Sequence, residues 1–295
     1  LAKRFVNAIS FLTIIKTPRG STGDLSHIPG SMVYFPLAGL IIGIFLSLFF
    51  IVMNLFLPLA VTVILTVIFE AALTGAAHID GLADMFDGVF SGRKDKKEIL
   101  AIMKKSDVGV FGILAIVFTV ILKTAVLYFF ARSTLSGRVP DPGDITGFYV
   151  FLFFMPGFGR WSMNYMIANY KNARKGPGLA RIFTQDKRKG RYFTVSSAYF
   201  FLLYLLLVPG GYALRVFLQE GTVWALSSCP VEAFRVHLFS AVLIIPSITI
   251  LFIMLEGWFF TRRTKGVTGD IIGGISEITE IFFILASFLA VSLAY

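Results

Sequence analysis

Residues 57–88 read LPLAVTVILTVIFEAALTGAAHIDGLADMFDG. The opening of this stretch, residues 57–79, is an apolar run of the ~20 residues that a helix needs to cross a ~30 Å hydrocarbon core. Three aspartates follow it. Asp80, Asp84 and Asp87 stand at i, i+4 and i+7, which at about 100° per residue is one helical stripe. No basic residue within the string offsets them. Three like charges on one stripe need a cation, and a divalent metal is the natural one. A membrane helix that ends this way is read as part of an enzyme in preference to an inert span.

Outward from this stretch the chain keeps the same character. Of its 295 residues 56% are hydrophobic and 15% charged, too little charge to cover a soluble domain of this length. Further apolar runs lie at 33–56, 108–130, 145–168, 193–215, 235–258 and 271–294. The expected fold is an all-α polytopic membrane protein with about seven transmembrane helices and one membrane domain, 1–295. No linker, internal repeat or inverted pair of broken helices divides it. Residues 1–14 read as an amphipathic interfacial helix, with no small-residue cleavage site after it. The lone cysteine, Cys229, cannot form an internal disulfide.

The net charge of +10 is distributed by topology. Basic residues crowd the N-terminal arm (Lys3, Arg4, Lys16, Arg19), the 80–107 segment, the 169–192 segment and Arg262, Arg263 and Lys265. The alternate loops hold only Arg132, Arg138, Arg215 and Arg235. Under the positive-inside rule this gives a cytoplasmic N-terminus and an external C-terminus in the cell membrane. Loop charge of this kind serves orientation, and no nucleic-acid partner is expected. Oligomeric state is not legible.

On this topology the aspartates end at the cytoplasmic face. The seventh run starts at the same face with Thr268-Gly269-Asp270. Arg160 lies about 12 Å above the cytoplasmic end of the fourth run at 1.5 Å per residue, and Arg174 follows in Ala173-Arg174-Lys175-Gly176-Pro177-Gly178. Carboxylates for a metal, arginines for phosphate and glycines for close backbone approach meet on one face. That suits phosphoryl transfer, where catalysis is mostly positioning and charge stabilisation. Oxygen ligands without His or Cys partners favour Mg²⁺. The expected ligands are Asp80, Asp84, Asp87 and Asp270, with Glu70 looking down on them. Arg160 and Arg174 are the expected phosphate binders, and Asp84 or Asp87 the general base. The plainer alternative is a solvated acidic helix end beside a basic loop.

Glu70, Lys123, Arg160, Glu277 and Glu280 fall within spans, where charge is costly and turns inward. Glu277, two turns beyond Asp270, is a supporting residue. Lys123 is read either as an ion-pair partner for one of these glutamates or as catalytic. Glu256 is expected to reach the interface. His78 points about 160° from the aspartate stripe and is a supporting base at most. His27 and His237 receive no role. After the stripe, Gly88, Ser91 and Gly92 mark a turn. A short amphipathic helix from Lys94 to Lys105 follows, its Ile99, Ile102 and Met103 facing the membrane surface or the site. Gly109 and Gly112 permit close packing at the start of the third run, which Asp107 is placed to cap. The 32 phenylalanines and 10 tyrosines are expected to be mostly lipid-facing and interfacial.

The string His78-Ile79-Asp80-Gly81-Leu82-Ala83-Asp84-Met85-Phe86-Asp87-Gly88 resembles the signature of the cobalamin synthases, the adenosylcobinamide-GDP ribazoletransferases. Phe11-Leu12-Thr13, Phe35-Pro36-Leu37 with Gly39, Glu70 with Thr74-Gly75-Ala76, and Ile102-Met103-Lys104 fit the family's order along most of the chain. So do Gly109 with Gly112, Arg160, Ala173-Arg174 with Gly176 and Gly178, and Thr268-Gly269-Asp270 with Gly273 and Glu277. Lys104-Lys105-Ser106-Asp107 departs from the family's Lys-Asp-Ser-Arg, and Lys265-Gly266-Val267 stands where a glycine pair is common. The resemblance implies a Mg²⁺-dependent transferase in which a ribose hydroxyl of α-ribazole, or its 5′-phosphate, attacks the phosphoryl of adenosylcobinamide-GDP and GMP leaves. The CDP-alcohol phosphotransferases resemble it in chemistry, but their Asp-Gly followed by Ala-Arg is not met, since Ala83 precedes Asp84. A transporter or divalent-ion channel is the alternative of another class. Acids gathered at one face, and not along a path, count against it.

Overall fold

The computed structural model describes residues 2–15, 28–105, 107–135, 142–176, 178–220 and 239–292. Cys229, His27, His237 and the loops predicted around them lie outside the described residues. Helix α1 spans Ala2–Leu12, α2 Ile28–Ser31, α3 Phe35–Asn54, α4 Leu59–Leu73, α5 Ala77–Phe90 and α6 Lys96–Ile102. Then come α7 Val110–Leu135, α8 Pro142–Asn169, α9 Leu179–Gln185, α10 Lys189–Glu220, α11 Ile245–Thr264 and α12 Gly269–Ser292. Among the described residues the chain is helical, with a single β-bridge between Asn172 and Val267.

Over its described residues each of the seven apolar runs is largely helical. Among the described residues five helical stretches are long and apolar enough to cross a membrane, and the α4–α5 pair adds a sixth if it is one broken span. The protein is therefore a multi-pass membrane protein. Apolar side chains such as Leu48, Ile68, Phe118, Leu206 and Leu255 stand exposed on α3, α4, α7, α10 and α11, the outward face that hydrocarbon requires.

Helix α8 is long enough to span and occupies the centre of the bundle. It packs on α3, α10 and α12, and so can carry Arg160, Ser162 and Asn164 fully buried. Small residues make these crossings close, as expected where apolar burial gives helices no reason to associate in lipid. A side chain at Gly39 or Gly43 of α3 would collide with the carbonyls of Pro156 and Phe153. Around α8 the core is aromatic. Phe130, Phe148, Phe151, Phe154, Phe158, Phe200 and Phe283 are all buried, with Phe158 stacked on Phe283 at 4.3 Å between ring centres. Many of the phenylalanines expected to face lipid thus fill the interior. Glu256 is likewise buried beside Thr279, at 3.2 Å, and does not reach the interface.

The second apolar run also differs from its expectation. It does not continue as one helix to residue 79. Helix α4 stops at Leu73, and Gly75 (φ 63°) and Ala76 (φ 54°) adopt the left-handed conformation. Helix α5 then departs at 88°. The aspartate stripe lies on this separate helix, outside the membrane-crossing part of α4. At the same end of the bundle α1 presents Ala8 and Leu12 inward, and the Ile14 N–H donates to the carbonyl of Leu73 at 2.9 Å.

Candidate functional site

Helix α5 lies on α12 at a glycine crossing. A Cβ at Gly81 would sit 2.9 Å from the Asp270 carbonyl, and one at Gly274 would sit 3.1 Å from the Leu82 Cα. The glycine inside the Asp80-Gly81-Leu82-Ala83-Asp84 string therefore lets the first turn of α12, with Asp270, come up beside the aspartates. From the other side, residues 171–173 pair with Val267. The Ala173 N–H donates to the Val267 carbonyl at 2.8 Å, and the Val267 N–H to the Lys171 carbonyl at 2.9 Å. This short ladder delivers Arg174, whose Nη2 donates to Asp270 Oδ2 at 2.9 Å and to the Met103 carbonyl at 3.2 Å. Thr268 Oγ1 donates to the same Asp270 oxygen at 3.2 Å.

Along α5 the three aspartates differ in exposure. Asp80 is exposed, Asp84 half-buried and Asp87 buried. The Asp84 carboxyl is pushed up to about 6, first by burial, then by the charges of Asp270 and Asp80. Arg174 pulls the other way, and Asp87 adds a smaller push. Repulsion among the neighbouring acids thus adds to the effect of burial. Asp87 has a different employment. The backbone N–H groups of Gly109 and Gly112 donate to its two oxygens at 2.6 and 2.8 Å, so the carboxylate caps the start of α7, where the helix dipole favours an anion. The cap foreseen from Asp107 is supplied from 22 residues upstream of Gly109, and Asp107 is exposed.

Gly109 and Gly112 accordingly make room for a carboxylate and not only for a helix: a Cβ on Gly109 would stand 2.5 Å from Asp87 Oδ1, and one on Gly112 would collide with Oδ2. Gly112→Ala is expected to cost about 1–3 kcal/mol, read as a lower melting temperature of the detergent-purified protein. An unchanged melting temperature would show that α7 does not depend on this contact.

The other expected site residues form a second constellation inside the bundle. Lys123 Nζ of α7 lies 2.8 Å from Glu70, 3.3 Å from Glu277 and 2.6 Å from Glu280. Arg160 pairs with the other oxygen of Glu280, and its Nη2 lies 3.2 Å from His78 Nδ1. All six residues are buried. The structure therefore does not bring Glu70 or Arg160 to the aspartates. Glu70 is engaged by Lys123, and the Arg160 guanidinium is spent on Glu280 and His78, away from any phosphate at the surface. Lys123 is the ion-pair partner of three glutamates, Glu277 among them. His78 faces away from Asp80, as the helical spacing predicts.

Of the sequence-derived candidates, Asp80, Asp84, Asp270 and Arg174 share one place at the end of the bundle. Among the described residues no three carboxylate or imidazole groups converge tightly enough to form a metal cage. Spacing alone could not separate Glu70 and Arg160 from this group, because their partners come from distant helices. The hydroxyl of Thr268 orients Asp270 through a contact two residues apart, and the residue carries no mark of this in the sequence beyond its place in Thr268-Gly269-Asp270.

A multi-pass helical membrane protein with a carboxylate–arginine site at one end of its bundle is the class these observations define. The profile of the cobalamin-5-phosphate synthase family matches residues 4–288, and the chain belongs to that family. It is 31% identical over 291 residues to the adenosylcobinamide-GDP ribazoletransferase of Thermoanaerobacter sp. (strain X514), covering 99% of this chain and 98% of that one. It is also 31% identical to the proteins of that name from Caldanaerobacter subterraneus subsp. tengcongensis, over 97% of this chain and 98% of the relative, and Roseiflexus sp. (strain RS-1), over 93% and 85%. No solved structure matches it.

Proposed function

We propose that this chain is an adenosylcobinamide-GDP ribazoletransferase working at the cytoplasmic face of a seven-span bundle in the cell membrane. Adenosylcobinamide-GDP and α-ribazole or its 5′-phosphate are the substrates. The observation that carries the proposal is the meeting of Asp84, Asp270 and Arg174 within the family's own motifs.

The donor chemistry fits magnesium. Asp80, Asp84 and Asp270 offer hard oxygens without a competing thiolate. Mg²⁺ is commonly held by one or two carboxylates together with substrate phosphates and waters. Asp80, with Asp270 beside it, would hold such an ion here, and it would supply charge neutralisation at the diphosphate.

The protein's own groups do the rest. Arg174, about one-third exposed, presents a guanidinium to phosphate oxygens with the geometry best suited to them. Asp270 and the Met103 carbonyl hold it in place. Asp84 takes the proton of the attacking ribose hydroxyl. Asp87, committed to α7, holds α5 in register.

The test is direct. Purified protein given Mg²⁺, adenosylcobinamide-GDP and α-ribazole 5′-phosphate is expected to release GMP and form a cobamide phosphate in equal amounts. Failure to release GMP with either acceptor, from protein that melts cooperatively, would overturn the assignment.

A further inference from the structure

Arg174 also borders a cleft of about 330 Å³ between the segment after α8, helix α9 and the start of α10. Lys171, Arg174, Lys175, Arg181 and Lys189 line it, with Thr184 among the polar groups between them. Among the described residues no carboxylate lines it, and only Arg174 is offset by an acid, Asp270. Two of the other cations are braced by neutral partners. Arg181 donates to the Lys175 carbonyl at 2.6 Å and to Gln185 at 3.1 Å. Lys189 donates to the carbonyls of Ile167 and Tyr170, near the end of α8. The Arg174 Nε is buried and lacks a hydrogen-bond partner.

The positive charge extends past the cleft. Lys96, at the start of α6, is held below the ordinary lysine range by burial and then by Lys171, Lys265 and Lys175. Uncompensated cations held this close are costly unless an anion joins them. Topology explains why this loop is basic. It does not explain a concave arrangement in which Arg174, Arg181 and Lys189 are fixed by backbone carbonyls.

We infer that this cleft is a subsite for the phosphomonoester of a ribonucleotide, distinct from the place where the diphosphate reacts. A terminal phosphate carries close to two charges and three acceptor oxygens, which suits several fixed donors better than a diester does. The cleft is at the small end of the size range of ligand sites, enough for a phosphate with part of its sugar. Arg174 borders both places, so a nucleotide seated here lies next to the carboxylate site. The inference rests on the proposed transferase activity for the identity of the nucleotide. Two nucleotides of that reaction carry the group: the phosphorylated acceptor and the released GMP.

The experiment measures binding, independent of turnover. Wild-type protein, Lys175→Gln and Arg181→Gln are titrated by calorimetry with α-ribazole 5′-phosphate, with α-ribazole and with GMP. The wild type is expected to bind a phosphorylated ligand more tightly than α-ribazole, and each variant to lose about tenfold or more of that affinity, as for loss of a charge-assisted hydrogen bond. A loss confined to α-ribazole 5′-phosphate assigns the cleft to the acceptor, and a loss confined to GMP assigns it to the leaving nucleotide; either supports the subsite. Unchanged affinities for both phosphorylated ligands in both variants would overturn it. If the wild type binds these nucleotides through the cleft yet makes no product, the transferase reading fails and the anion site stands.

Discussion

Asp84→Asn is expected to lower kcat by about a thousandfold, the scale of losing one pre-positioned group that acts on transition-state charge, with little change in melting temperature. The side chain is half-buried, and its carboxyl is already crowded by Asp270 and Asp80. Removing its charge relieves repulsion in the resting protein while taking away the group placed to accept the hydroxyl proton. Asp87 supplies the internal contrast. Its two oxygens accept the N–H groups of Gly109 and Gly112, so Asp87→Ala is expected to cost about 1–2 kcal/mol of stability as a lost helix cap. Parallel melting curves and single-turnover GMP release separate the two outcomes. An Asp84→Asn protein that keeps wild-type kcat at saturating Mg²⁺ would remove Asp84 from the mechanism.

Lys123→Met is expected to cause the largest loss of stability. Lys123 is buried and faces Glu70, Glu277 and Glu280. Deleting one partner of a buried ion pair costs about 3–5 kcal/mol, because the remaining charge has no water to turn to. Here three acids on α4 and α12 share one ammonium, and only Arg160 remains to face Glu280. The variant should accumulate poorly in membranes and melt well below the wild type. Adding Glu70→Gln to Lys123→Met should recover part of the loss by removing one stranded charge. A single variant as stable as wild type, or a double variant no better than the single, would show that Lys123 does not hold the helices together.

Much of the fold was legible because its signals are local. Hydropathy located each long helix, and the helical period put Asp80, Asp84 and Asp87 on one stripe with His78 turned away. The break at Gly75 and Ala76 was not read, although both residues sit within the quoted Thr74-Gly75-Ala76, because an apolar run carries no mark of a left-handed backbone. The division of the acids into two groups was illegible for a different reason. Glu70 and Lys123 lie 53 positions apart, and Arg160 and Glu280 lie 120 apart. Cost arguments say that each must find a partner, but only the packing of α4, α7, α8 and α12 says which. Of the basic residues of the 171–189 segment only Arg174 stood out as a phosphate binder, since the concavity of the others depends on the fold of α9 against α8 and α10.

Helix α5 is gripped near both ends. Toward its start, His78 rests against Arg160, and one turn from its finish Asp87 is tied to the first turn of α7. Between these anchors Asp80 and Asp84 are the charged residues that stand toward solvent. The helix is thus a short beam clamped at both supports, with its working carboxylates at mid-span. A beam held this way has little freedom to bend or roll, so the two carboxylates meet an incoming diphosphate with most of the ordering entropy already spent in folding. The glycines that seat the clamps set that stiffness without touching a substrate.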